Sequence, residues 1–144
     1  MIDVESLALP WARVVTLPME AGIQGAFDRE TSTIFLASNL SDMQRACVLA
    51  HEISHAKHRD HGCYGHRSPM ERRADMDAAR LLINPTEYAT AELVCDNVVW
   101  LARELNVMPY IIRAYREWLH ENQSNFGFLG KQVQKREEHY ERLC

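Results

Sequence analysis

Apolar positions recur along this chain with two different periods, and the change of period divides it. Up to about residue 38 the pattern is that of strands. "ARVVTLP", residues 12–18, reads as a strand stopped by Pro18. "AGIQGAFDRETSTIFLAS", 21–38, reads as a hairpin with strands near 23–28 and 32–37 around the turn "DRET". Residues 1–10 form a short helix or irregular lead-in that ends at Pro10. The expectation is a small antiparallel sheet of about three strands.

From residue 41 the period becomes helical. In "SDMQRACVLAHEISHAKHRD", 41–60, Ala46, Leu49, Ala50, Ile53 and Ala56 make one apolar stripe. Ser41 and Gln44 fit a capping box at its start. "HGCYGHRS", with two glycines, reads as a loop. A second helix starts at Ser68-Pro69, with Met70, Ala74, Ala78, Leu81 and Leu82 sharing a face, and ends at Asn84-Pro85. Asn84 and Glu87 suggest a capped short turn. A third helix is read over 90–107, "TAELVCDNVVWLARELNV", and a fourth over 108–122, begun by Pro109. The fold class is therefore α+β, a small sheet packed on a mainly helical body, with one domain over 1–122. The charged segment 123–144 is expected to be a mobile tail.

Composition narrows the function. The net charge is -4, with 25% charged and 47% apolar residues. The chain has no long Lys/Arg run, so direct nucleic-acid binding is not expected. Its apolar runs are too short for a membrane span. The acidic start "MIDVESLALPWARVV" lacks a basic n-region, which points to a cytoplasmic protein. Cysteines 47, 63, 95 and 144 form no CxxC pair, so a zinc ribbon is excluded and four free thiols are expected. Cys63, in the histidine-rich loop, is the one to weigh as a ligand. Trp11, Trp100 and Trp118 are read as core or half-buried packing.

The candidate chemistry lies in "HEISHAKHRDHGCYGH", which holds five of the seven histidines. His51 and His55 stand one helical turn apart on one face, so their imidazoles can take two corners of a zinc tetrahedron. Glu52, beside His51, is placed to act as general base on an attacking water. That is metalloprotease chemistry. Three residues compete for the third ligand. His61 has the spacing of the longer H-E-x-x-H-x-x-G-x-x-H pattern, but His58 replaces the glycine that makes the turn. Glu71 and Asp75 lie at i and i+4 on the next helix and either would complete a His, His, carboxylate site. Glu71 also fits a capping box with Ser68, and Asp75 fits a partner for a histidine's second nitrogen. His58 is too far along a straight helix and suits the helix C-terminus.

The motif that follows, Glu71, Ala74, Asp75, Ala78, Leu81-Leu82, then "INP", resembles the ImmA/IrrE family of metallo-endopeptidases over about residues 10–120. The resemblance implies zinc held by His51, His55 and Glu71, with Glu52 as catalytic acid/base and Asp75 behind a ligand. His58, His61, Tyr64 and His66 are left as rim residues or stabilisers of the tetrahedral intermediate. Relatives of this kind are encoded by phages and other mobile elements and cut a helix-turn-helix transcriptional repressor. No such DNA-binding domain is read in this chain, so a separate substrate protein is implied. The alternative is a non-catalytic zinc protein that binds a repressor or antitoxin. The intact Glu52 argues for the enzyme, because a structural zinc site needs no base.

Overall fold

The computed structural model describes residues 2–61 and 68–123. A short helix α1 (Val4–Ala8) leads into strand β1 (Arg13–Leu17), hairpin β2 (Gly25–Asp28) and β3 (Thr33–Ala37), and then helices α2 (Asp42–His58), α3 (Pro69–Leu82), α4 (Pro85–Val94), α5 (Val98–Glu104) and α6 (Pro109–Glu121). The α+β class and the three strands are as the hydropathy pattern indicates. Cys63, Tyr64 and His66, read from the sequence as loop residues, and the tail beyond Gln123 lie outside the described residues. No described helix is long and apolar enough to cross a membrane.

The sheet differs from the expectation in one respect: it is mixed, not antiparallel. Its order is β1-β3-β2, with β2 antiparallel to β3 and β1 parallel to β3. Alternation reports that a segment is a strand but not which strand it pairs with. The composition of β3 accounts for its central place. "TIFLA" is apolar on both faces, and Thr33, Ile34, Leu36 and Ala37 are all buried. The chain between β1 and β2, residues 18–24, carries the hairpin far enough that β3 inserts between its neighbours. Asp28 closes the hairpin turn, accepting from Glu30 N (3.0 Å) and from Thr31 Oγ1 (2.6 Å).

α2 starts with the full capping box between Ser41 and Gln44. Leu49, Ala50, Ile53 and Ala56 of its stripe are buried against the sheet and α3. At its other end Arg59 takes the left-handed conformation (φ 56°), its N–H bonding Ala56 O while Asp60 N bonds His55 O (3.1 Å). This Schellman closure reverses the chain without a glycine. Arg59 is held in it by hydrogen bonds to Ser32 Oγ and Arg29 O.

The segment read as one helix over 90–107 is two. Asn84 caps α4 through Thr86 N and Glu87 N, so the expected short turn is a ten-residue helix. It ends at Cys95, in extended conformation, and Asn97 then caps α5 through Trp100 N. The apolar period runs across the break because both helices bury the same side. Cys47 is a buried free thiol, as expected, but Cys95 is disulfide-bonded. Sequence spacing carries no information on which thiols meet in space, which is why the expectation of four free thiols fails. Trp100 and Trp118 are half-buried, whereas Trp11 is 43% exposed and lies under the Lys57 ammonium.

Candidate metal centre

α2 and α3 pack closely side by side, and the site lies in the seam between them. His51 and His55, one turn apart on α2, turn their Nε2 atoms toward each other at 3.0 Å. Glu71, in the first turn of α3, completes the triangle. Its carboxylate lies 3.0 Å from His51 Nε2 through Oε2 and 3.3 Å from His55 Nε2 through Oε1. The competing capping role of Glu71 is met only by its backbone, whose N–H donates to Ser68 Oγ (3.2 Å). The side chain is thereby free to point at the histidines.

These three donors fit a metal ion. Tetrahedral bonds of about 2.0–2.1 Å place two donor atoms about 3.3 Å apart. His51 Nε2 and His55 Nε2, 3.0 Å apart, are close to such an edge, and Glu71 meets each through a different oxygen, so that one ligand atom from each residue lies within 4.8 Å of the others. His51, His55 and Glu71 are the one such cluster among the described residues.

Outer carboxylates set the tautomers. His51 Nδ1 donates to Asp75 Oδ1 and His55 Nδ1 donates to Asp60 Oδ2, each at 2.8 Å. Both rings therefore keep a lone pair on Nε2, the atom that faces the cluster. Burial lowers the basicity of His51, but the Asp75 hydrogen bond and the charges of Glu52, Asp75 and Glu71 outweigh it, so the net shift is upward. Asp60 is 8% exposed and is paired in turn with Arg73. A second bond, from Ser54 Oγ to Asp77 Oδ2 (2.7 Å), ties the same two helices together.

Asp60 and Arg73 are the residues that sequence reasoning missed. Asp60 is five residues beyond His55, off the helical face. It reaches back only because Arg59 adopts a left-handed turn that side-chain type does not announce. We expect Asp60→Asn to lower metal affinity by about 10–100-fold. Competition against a chromophoric chelator would read this directly, and wild-type affinity in the variant would show that Asp60 does not support His55.

Glu52 is 7% exposed and faces the sheet side of the cluster. Among the described residues it accepts no hydrogen bond, and its Cγ and Oε1 lie against β2 at Gly25. Burial pushes its carboxyl up to about 7, with His51 opposing and Glu71 adding to the shift. Two other sequence candidates lie apart from the cluster. His58 is exposed, its Nδ1 bonded to Ser54 O, and His61 is exposed and bonded to Arg29. Neither is in the ligand triangle, and Tyr64 and His66 lie outside the described residues.

A glutamate from the next helix meeting an HExxH helix beneath a small sheet defines the zincin-like class of metallo-endopeptidase. Within that class the chain belongs to the peptidase M78 family, whose model, described as the IrrE N-terminal-like domain, matches residues 12–113. The ImmA/IrrE resemblance agrees with this assignment, and Glu71, not His61, is the residue that clusters with the two histidines. No curated protein matches the chain significantly.

Proposed function

We propose that this protein is a zinc endopeptidase that cuts a specific regulatory protein in the cytoplasm, a helix-turn-helix transcriptional repressor encoded beside it on a mobile element. His51, His55 and Glu71 would hold the zinc, with Asp75 and Asp60 orienting the two imidazoles. When bound there, zinc supplies a Lewis acid that polarises the scissile carbonyl and makes water a better nucleophile at neutral pH. Glu52 takes the proton of the attacking water and passes it to the departing amine.

The observation that carries the reading is Glu52 itself. It is a buried carboxylate beside three metal-ligating groups, and it is committed to no described hydrogen-bond donor. A structural metal site has no use for such a group.

The sheet supports a peptide as substrate. Ala37 N bonds Gln24 O (2.9 Å), so in this register the hydrogen-bonded pairs are Ala26 with Phe35 and Asp28 with Thr33. The backbone N–H and C=O of Gly25 and Phe27 then point to the outer edge of β2, which has no strand partner among the described residues. An extended chain can add to that edge, alongside the helix that carries Glu52.

The test is to incubate the zinc-loaded protein with the helix-turn-helix protein encoded next to its gene. One discrete cut is expected, absent after chelation and restored by zinc. Tight binding of that protein without any cut would overturn the reading of it as substrate.

A further inference from the structure

We infer that Gly25 is a positioning residue for Glu52: the missing side chain lets strand β2 form the wall against which the carboxylate rests. This rests on the reading of Glu52 as acid/base. Val48 and Glu52 stand at i and i+4 on α2 and present one face to β2. A Cβ placed at Gly25 would come 2.5 Å from Val48 Cγ1, and 3.2 Å from both Glu52 Cγ and Glu52 Oε1. The first approach is impossible without movement, and the other two are tighter than ordinary contact.

The consequence for Glu52 follows from its lack of hydrogen bonds among the described residues. Nothing polar among the described residues fixes its rotamer, so its position depends on what it packs against. On the strand side that is the Gly25 backbone. A methyl group there would displace the carboxylate relative to His51, His55 and Glu71 without touching those ligands. The same residue offers its N–H and C=O to the open edge of β2, on the side away from β3. Gly25 thus places the acid/base group and the peptide-binding edge at one point of the fold. Its side-chain direction, toward α2, means that an added methyl would not project into a peptide lying along the edge.

Two different contacts are involved, and substitutions separate them. Val48→Ala removes the Cγ1 collision and leaves the crowding of Glu52. Adding Glu52→Ala removes Cγ and Oε1 as well. The stability cost of Gly25→Ala should therefore fall in Val48→Ala and fall again in the Val48→Ala/Glu52→Ala background, as denaturant titration would read. Gly25→Ala/Val48→Ala should bind zinc stoichiometrically, keep the KM of Val48→Ala and lower kcat, by less than the about 100-fold that a 1 Å misplacement costs, because contacts of 3.2 Å oblige Glu52 to give by only a few tenths of an ångström.

The idea is overturned if kcat in Gly25→Ala/Val48→Ala equals that of Val48→Ala. It is equally overturned if the triple variant is as destabilised by Gly25→Ala as the Val48→Ala protein is. Cleavage that survives Glu52→Gln would mark a failure of the acid/base reading of Glu52 instead, which the stability cycle does not depend on.

Discussion

Glu52→Gln is expected to bind metal as the wild type does and to lose about 10²–10⁴-fold in kcat, the usual contribution of a positioned acid/base group. The variant is close to isosteric, and none of the three ligating side chains changes. Glutamine cannot take a proton from water, which is the one property removed. The burial that raises the Glu52 carboxyl acts against its charged form, and a neutral amide does not carry that penalty. Loss of activity therefore cannot be ascribed to a weakened fold. Metal content by atomic absorption, a denaturation curve and single-turnover cleavage together define the outcome. Turnover within tenfold of wild type would remove Glu52 from the mechanism.

Glu71→Ala separates ligation from helix capping. The capping bond at the start of α3 uses the Glu71 backbone N–H, which alanine retains. The helix should start as before, while the metal loses one of three protein ligands. We expect affinity to fall by more than the about 10–100-fold typical of an outer partner, with activity falling in parallel. Ser68→Ala provides the contrast. It removes the cap acceptor at a cost of about 1 kcal/mol and should leave metal stoichiometry unchanged. Full affinity in Glu71→Ala would show that another residue closes the site.

The ligand triangle depends on a division of labour between two helices. His51 and His55 are related by helical geometry alone, so any sequence that makes α2 a helix brings them together. Glu71 reaches them only because α3 packs antiparallel to α2 with its first turn at the level of His51 and His55. The outer pairs, His51 with Asp75 and His55 with Asp60, then fix both imidazoles from opposite sides. The cluster is assembled by the packing that buries Ile53, Ala56, Ala78 and Ala79, so its geometry and the core are not independent.

What could be read from the residues alone was whatever is local or periodic. The period of 3.6 placed α2 and α3, the caps Ser41, Ser68 and Asn84 placed helix starts, and i,i+4 spacing paired His51 with His55. Spacing left Glu71, Asp75 and His61 in competition, and the resemblance to a motif favoured Glu71. The tertiary structure decided everything that depends on which distant segments meet. It made the sheet mixed, because strand partners are chosen by how the chain crosses and by which strand must be covered on both faces. It split 90–107 at Asn97, because an apolar period continues across a break when both pieces face one core. It brought Asp60 behind His55 through a left-handed Arg59, and laid Gly25 against Glu52 across a separation of 27 residues. Periodicity encodes the face a residue occupies within its own element; contact across elements depends on packing, which a linear pattern does not carry.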